Sequence, residues 1–173
     1  LDRPTVLGLG EIGLNKNSRN ELKVLEMHIE LAARHGLMIL AHTPHLEDKY
    51  KGTRLTLDAL RSEPRLAPER VLVDHVEEHT IRLVLEAGFW AGMTLYPGTK
   101  CTPSRAVDMI EAYGPERLMM NGACDWGDSV PLAVPYAALD MHKRGHTPDQ
   151  IDRIIYRNPR DFLRQCPKVK LPD

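Results

Sequence analysis

Residues 6–15 have the sequence VLGLGEIGLN, in which a short apolar run ends at a glycine and is followed directly by Glu11. A run of this kind is typical of a strand buried in a parallel sheet. Ser18 and Glu21 then match the capping box that opens a helix. Apolar residues recur at helical spacing over residues 22–32. This part of the chain therefore predicts a strand followed by a helix.

The same order repeats along the rest of the chain. Short apolar runs predict four more strands, at residues 37–41, 71–74, 89–95 and 118–121. Helical patterns follow at residues 53–61, 81–87, 103–113 and 134–143, and two more helices begin after Thr147 and at Asn158. Five strands, each followed by a helix, predict an α/β fold with a parallel sheet. Periodicity leaves two architectures open, an open doubly wound sheet and part of a (β/α)8 barrel.

Length and composition restrict the class of protein. The 173 residues fit one domain, and 23 Lys and Arg balance 24 Asp and Glu without a block of like charge. That balance argues against a nucleic-acid or membrane-surface partner. No apolar run approaches the roughly 20 residues that a membrane span needs. Three cysteines without a C-x-x-C pair predict a reducing, cytoplasmic setting.

Metal-ligating residue types follow four of the predicted strands. Glu11, His42 and His75 come directly after the first three, and Asp125 follows the fifth by a few residues. The carboxyl ends of parallel strands meet at one edge of a sheet, where sites are built. Imidazoles and carboxylates together bind Zn2+, Mn2+ or Mg2+. We therefore predict a divalent-metal site of one or two ions, with a metal-activated water as the nucleophile.

Several motifs carry a resemblance to a known family. Residues 10–15, GEIGLN, resemble the GE-x-GLD signature of TatD-like hydrolases in the amidohydrolase superfamily. Residues 72–75, LVDH, are similar to a ligand strand of that family, and residues 121–125 stand where it has Glu-Thr-Asp. Residues 158–162, NPRDF, resemble its closing helix. The resemblance covers essentially the whole chain.

The resemblance implies a fold and a role for each ligand. The chain would supply strands 4 to 8 of a TIM-type (β/α)8 barrel, as a single domain over residues 1–173 that lacks the first three β/α units. Glu11 would bridge two metals, and His42 and His75 would complete one of them. Asp125 would bind the other metal and act as general base. The family's H-x-H pair has no counterpart here, and Asn15 replaces its usual Asp.

Other residues near the predicted site allow a second interpretation. His45 and Trp126 are candidate substrate-binding residues, although a solvated loop histidine and a packed loop tryptophan are the plain alternatives. The loop cations Lys49, Lys51 and Arg54 could meet a phosphate or carboxylate. His75 to His79 also match the H-x-x-E-H string of a zinc protease, but a strand end at His75 makes that match accidental.

Three functions remain open from the sequence. The first is a metal-dependent hydrolase acting on a phosphoester, including nucleic acid, or on an amide or lactone. The second is a non-catalytic fragment of a barrel. The third is an open-sheet α/β binding protein.

Overall fold

The chain folds as an α/β structure around one parallel sheet. The computed structural model describes residues 3–45, 47–96, 98–124 and 127–171. Within these residues the strands are β1 (Gly8–Gly13), β2 (Met38–His42), β3 (Val71–Asp74), β4 (Trp90–Leu95) and β5 (Leu118–Gly122). Every pair of neighbours is parallel, so the predicted sheet type is confirmed.

Helices connect the strands and continue beyond the last one. They are α1 (Arg19–His35), α2 (Lys49–Arg61), α3 (Ile81–Glu86), α4 (Pro103–Tyr113), α5 (Ala133–Lys143), α6 (Pro148–Asp152) and α7 (Asn158–Leu163). A π-helical turn, Arg153–Arg157, joins the last two. None of the helices in the described ranges combines the length and apolar character that crossing a membrane requires.

The order of the strands in the sheet distinguishes an open doubly wound sheet from part of a (β/α)8 barrel, the two architectures that the sequence left open. The order is β1-β2-β3-β4-β5, so each strand lies beside its neighbour in the chain. A doubly wound sheet reverses its order at a switch point, whereas a (β/α)8 barrel adds strands in sequence. The described strands have no switch point, which is the pattern of a barrel wall.

Apolar side chains pack on both faces of the sheet. The larger cluster joins the strands to the helices and includes Ile29 of α1, Leu60 of α2 and Met141 of α5. On the opposite face a smaller cluster contains Met38, Leu72, Trp90, Met119, Phe162 and Cys166. Burial on both faces explains why the strands read as continuous apolar runs.

The smaller cluster fixes the C-terminal helix against the sheet. The rings of Trp90 and Phe162 meet edge to face, with their centroids 5.8 Å apart. Asn158 donates hydrogen bonds from its amide to the carbonyl oxygens of Pro115, at 2.7 Å, and Leu118, at 2.6 Å. Helix α7 thereby packs on this face of the sheet, where its residues Pro159, Phe162 and Leu163 contribute to the lining of a cavity.

Two elements have bounds that differ from the sequence prediction by more than one residue. Strand β1 begins two residues later than predicted and continues through Glu11 to Gly13, because its pairing with β2 resumes after an irregularity. Helix α2 begins at Lys49 rather than at residue 53, because Asp48 caps it by accepting a hydrogen bond from the Lys51 amide at 2.9 Å. Neither change alters the order of elements.

Candidate metal centre

A bulge in β1 presents Glu11. Leu9 pairs with Ile39 and Ile12 pairs with Ala41, so Gly10 and Glu11 together oppose one residue of β2. Such a bulge re-aims a side chain and is common beside active sites. Glycine is required before Glu11, because a Cβ there would lie 2.7 Å from the Cβ of Leu40. The Glu11 side chain is 47% exposed and lines the cavity on the open part of the sheet face.

A left-handed backbone conformation directs His75. Its φ is 61°, a region that costs an L-residue roughly 1–2 kcal/mol. The His75 amide donates to Asp74 Oδ1 at 2.8 Å, and its carbonyl oxygen accepts from Thr43 Oγ1 at 3.2 Å and from Lys49 Nζ at 2.8 Å. These bonds hold the turn directly after β3, with the side chain of His75 buried.

The orientation of the His75 ring follows from its neighbours. Thr94 donates its hydroxyl hydrogen to Asp74 Oδ1 at 3.1 Å, and His75 Nδ1 lies 2.7 Å from the same hydroxyl oxygen. Since that hydrogen is already donated, the hydroxyl accepts from Nδ1–H. The neutral ring then carries its lone pair on Nε2. A carboxylate that fixes a histidine through its other nitrogen is the usual support of a metal ligand.

Asp74 is a buried carboxylate that is well supplied with donors. Its Oδ1 accepts from the His75 amide, from Thr94 and from Asn121 Nδ2 at 2.9 Å. Burying an ionised carboxylate is costly unless hydrogen bonds or opposite charges compensate. The second oxygen, Oδ2, lies 3.7 Å from His75 Nδ1. Three donors therefore hold the Asp74 carboxylate in place beside the histidine.

Three of these side chains converge on one small volume. Ligand atoms of Glu11, Asp74 and His75 lie within 4.8 Å of one another, and His75 Nε2 is 3.4 Å from Glu11 Oε1. Two carboxylates and an imidazole form a donor set that suits a divalent cation. The residues present therefore fit a divalent metal.

The Glu11 carboxylate is held in its charged form. A hydrogen bond from the protonated form of His75 is the largest influence and lowers the pKa of the carboxyl below its ordinary value, while partial burial opposes this change. The charge of Lys100, and those of His75 and His42 when their rings are protonated, lower the pKa further. Glu11 is consequently ionised at neutral pH, as a ligand for a cation must be.

His42 lies beside the cluster but outside the group of three. It is the last residue of β2, and its ring centroid is 6.2 Å from that of His75. Burial is the main cause that lowers its pKa, so the ring is neutral and has a lone pair available at neutral pH. A Cβ on Gly13 would collide with the His42 ring, so that glycine leaves room for it.

A cavity opens over the cluster. It has a volume of about 580 Å3, with Glu11, Asp74 and His75 at its polar end. Among the described residues that line it, Lys100 is the only lysine or arginine. The apolar part of the lining includes Leu7, Leu9, Met38, Leu40, Leu72, Met119, Phe162 and Leu163.

Of the other predicted site residues, two lie outside the described part of the chain. Asp125 and Trp126 fall between residues 124 and 127, so their roles stay predictions. His45 is described and half-buried, but it is not among the residues that line the cavity. Burial is the main cause that lowers its pKa, followed by the charge of Lys49.

The loop cations have different surroundings. Lys49 forms an ion pair with Glu77 at 2.9 Å in addition to its bond to the His75 carbonyl. Lys51 and Arg54 are exposed on α2. Lys49 therefore supports the His75 turn.

Sequence reasoning missed four residues of the cluster and its surroundings. These are Asp74, Thr94, Lys100 and Asn121, which meet His75 or one another across separate strands. Asp74 alone had a signal in the sequence, a carboxylate at the end of an apolar strand. The H-x-x-E-H string is accidental, because His75 is in a turn after β3 and α3 begins only at Ile81.

Comparison with known proteins supports the interpretation of the fold and the cluster. The chain matches no protein-family model. It is 25% identical over 164 residues to an uncharacterized metal-dependent hydrolase from Methanocaldococcus jannaschii, covering 95% of this chain and 64% of that protein.

Solved structures resemble the chain over nearly its whole length. A TatD-like protein from Archaeoglobus fulgidus is 30% identical, with a TM-score of 0.68, and the match covers 91% of this chain and 60% of that one. The phosphotriesterase homology protein from Escherichia coli, solved with phosphate in its active site, has a TM-score of 0.75 at 16% identity. That match covers 90% of this chain and 59% of the other. The chain thus spans about three fifths of the length of these relatives.

The parallel α/β fold has a carboxylate–histidine cluster at its edge, and the chain is similar in sequence to a metal-dependent hydrolase. The class of fold is therefore that of the metal-dependent hydrolases. More narrowly, the fold is TatD-like and of the amidohydrolase type. The resemblance stated from the sequence motifs is confirmed at this level.

Proposed function

We propose that this chain forms the metal-binding part of a metal-dependent hydrolase. The observation that carries the proposal is the convergence of Glu11, Asp74 and His75, whose ligand atoms lie within 4.8 Å of one another. The name of the Methanocaldococcus jannaschii relative supports it. The whole protein's activity is part of the proposal, since the relatives are longer than this chain.

Each residue of the cluster would have a distinct part. His75 Nε2 and Glu11 would hold the ion, and Asp74 would add a carboxylate while orienting the histidine through Thr94. His42 would complete the ligand set from the next strand. A bound Zn2+, Mn2+ or Mg2+ ion, or a pair of ions, would activate water near neutral pH and polarise the bond to be cleaved. Asp125 would accept the proton of that water as general base.

The cavity supports hydrolysis of a small group. Its largely apolar lining lowers the local dielectric beside the charged cluster, so interactions between charges there are stronger than in bulk water. The phosphate described in the Escherichia coli neighbour favours a phosphoester as the first substrate class to test. Amides and lactones are the alternatives. The balanced charge gives no support for nucleic acid as the preferred substrate, and His45 and Trp126 stay candidates for contact with the substrate.

The proposal includes the place of the chain in a barrel. Its five strands would be strands 4 to 8 of a (β/α)8 barrel, with residues 1–173 as one domain. Two observations support this assignment. In the described sheet β1 and β5 each pair on one side only. In addition, the TatD-like structure is longer than the match, which covers 60% of it.

Metal binding by the chain tests the site. We expect wild-type protein to bind a stoichiometric amount of Zn2+ or Mn2+, measured by elemental analysis after dialysis. Glu11→Gln and His75→Ala should each lower affinity by roughly tenfold to a hundredfold or more, since each removes a ligand. His142→Ala, which changes an exposed histidine of α5, should bind as the wild type does. Equal metal content in wild type and His75→Ala would reject the site.

Hydrolysis is tested separately on matched substrates. A phosphodiester, a phosphomonoester, a lactone and an amide, each with a chromogenic leaving group, are compared with and without added metal. We expect metal-dependent turnover of one class that is lost in His75→Ala. Metal binding without turnover of any class would favour the non-catalytic fragment over the enzyme.

A further inference from the structure

The ammonium group of Lys100 lies against the proposed metal ligand. Its Nζ atom is 3.1 Å from His75 Nε2 and 3.3 Å from His75 Nδ1. Nδ1 directs its hydrogen to Thr94, so the lone pair of the neutral ring is on Nε2. An ammonium group has donors only. Nζ is nearly equidistant from the two ring nitrogens, so the ammonium lies over the face of the imidazole rather than along the in-plane lone pair of Nε2. A metal ion bound at Nε2 would therefore lie a few ångströms from this ammonium.

The charge of Lys100 also suits the cluster. Glu11 and Asp74 bring two carboxylates to the polar end of the cavity, next to the ring of His75. Lys100 is the only lysine or arginine among the described lining residues, and its positive charge contributes to the lowered pKa of the Glu11 carboxyl. Its ammonium thus supplies a countercharge that a divalent ion would otherwise supply.

The backbone at Lys100 is held firmly in place. Its amide donates to the Tyr96 carbonyl oxygen at 3.0 Å, and its own carbonyl oxygen accepts from Arg105 at 2.7 Å. The next residue, Cys101, forms a bridge to Leu95, and its amide donates to Thr94 at 3.2 Å. The loop therefore positions Lys100 at the cavity. Its flexible four-carbon side chain allows the ammonium group to move while the backbone stays in place.

Two cations cannot share this position. An ammonium and a divalent ion a few ångströms apart repel by several kcal/mol unless water screens them, and both would be attracted to the carboxylates of Glu11 and Asp74. We infer that Lys100 is an internal cation that competes with the metal for the negatively charged cluster of Glu11, Asp74 and His75 and is displaced when the metal binds. The inference rests on the proposed function, because it needs the metal site. It makes Lys100 a positioning residue that stabilises the metal-free chain and lowers metal affinity.

Neutral substitutions test the competition directly. Zn2+ affinity is measured for the full chain by competition with a chromophoric chelator, and thermal unfolding is recorded with and without Zn2+. Lys100→Met should bind Zn2+ roughly tenfold more tightly, because the competing charge is gone. Its metal-free midpoint should fall, and the rise on adding Zn2+ should exceed that of the wild type. Lys100→Arg keeps the charge and should stay near the wild type.

Two further variants make the result specific. Lys143→Met removes an exposed lysine at the end of α5 and should leave both readouts unchanged. Lys100→Gln is a second neutral variant and carries the same comparison where Lys100→Met folds poorly. A residue with only a structural role would lower the midpoint and the metal affinity together, whereas competition moves them in opposite directions.

The outcomes separate this inference from the proposed function. Wild-type and Lys100→Met proteins that bind Zn2+ equally, or weaker binding by Lys100→Met, would overturn the competition and leave the metal site standing. An equal gain of affinity in Lys143→Met would also overturn it, as a general effect of charge. Failure of both wild type and Lys100→Met to bind any metal would remove the proposed function and this inference with it.

Discussion

The Nδ1 atom of His75 lies 2.7 Å from the hydroxyl oxygen of Thr94, although the two residues are 19 positions apart and belong to neighbouring segments of the sheet. The hydroxyl in turn donates to Asp74 at 3.1 Å. This relay of two hydrogen bonds connects the buried Asp74 carboxylate to the His75 ring through Thr94, and it leaves Nε2 facing the cavity. Thr94 thus determines which nitrogen of His75 can bind a cation.

Thr94→Val tests the relay with almost no change in shape. We expect a loss of about 1–3 kcal/mol in the free energy of unfolding, because Nδ1–H loses its acceptor and Asp74 loses a donor. Metal affinity should fall by about 10-fold to 100-fold, since the supporting contact of a ligand is removed. Urea unfolding and chelator competition measure the two effects. Thr94→Ser restores the hydroxyl and should recover both, and unchanged metal affinity in Thr94→Val would exclude the relay.

Gly92 tests the placement of Asp74. A Cβ at Gly92 of β4 would clash with Asp74 Oδ1, so Gly92→Ala should push the carboxylate away from Thr94 and Asn121. We expect about 1–3 kcal/mol of destabilisation from overpacking, together with weaker metal binding. Gly122→Ala is the matched control, because a Cβ at Gly122 in the next strand meets nothing within 4 Å. Equal effects of the two substitutions would show that the clash with Asp74 is unimportant.

The fold was predictable from the sequence because it depends on local patterns. Short apolar runs and helical periodicity gave the correct order of five strands, and the predicted strand at residues 71–74 agrees with β3. The capping box at Ser18 is confirmed as the start of α1, and the helix predicted after Thr147 is confirmed as α6, which also begins with a capping box. Hydrogen bonds between residues three positions apart leave a direct trace in the sequence.

The site was predictable only in part. Glu11 and His75 stand at strand ends, and the parallel sheet brings them together, with Nε2 and Oε1 3.4 Å apart. The sequence could not show that Asp74, rather than His42, completes the compact group of three, since the bulge in β1 and the left-handed turn at His75 decide which side chains converge. Lys100 reaches His75 from 25 positions away through a loop whose geometry no local pattern reveals.

The loop after β1 should depend on pH through Glu21. Its carboxylate accepts from the Ser18 amide at 3.0 Å and from the Lys16 amide at 3.1 Å, and the Ser18 bond is the largest cause that lowers its pKa below 4.5. Because the pKa is lower in the folded chain, this stabilisation is present above about pH 4.5 and is lost as the pH falls through the folded value.

Substitution of Glu21 gives the measurement. Glu21→Ala should lower the free energy of unfolding at pH 7 by less than about 1 kcal/mol, because the group is exposed. The difference from wild type should shrink towards pH 3, as denaturant titrations at several pH values would record. Glu26→Ala, on the exposed face of the same helix, provides the control. If the loss of unfolding free energy in Glu21→Ala grew as the pH fell, the predicted pH dependence would be wrong.

Arg105 should determine the rigidity of the loop that carries Lys100. Its guanidinium donates to both oxygens of Glu78, at 2.7 and 2.6 Å, and to the Lys100 carbonyl oxygen at 2.7 Å. Paired bonds of this kind are stronger than a single exposed ion pair. Arg105→Gln should therefore cost about 1–2 kcal/mol of stability and speed hydrogen exchange at the amides of Lys100 and Cys101. Those amides donate to Tyr96 and Thr94, so their exchange reports opening of the loop.

Arg82 is the matched control for Arg105. It pairs with Glu86 one helical turn away at 2.7 Å, and both side chains are well exposed. Such a pair contributes about 0.3–0.5 kcal/mol, so Arg82→Gln should leave exchange at Lys100 and Cys101 unchanged. Comparable exchange rates in Arg105→Gln and wild type would mean that the loop is held by its backbone bonds alone. In that case the position of Lys100 beside His75 would not depend on the Arg105–Glu78 pair.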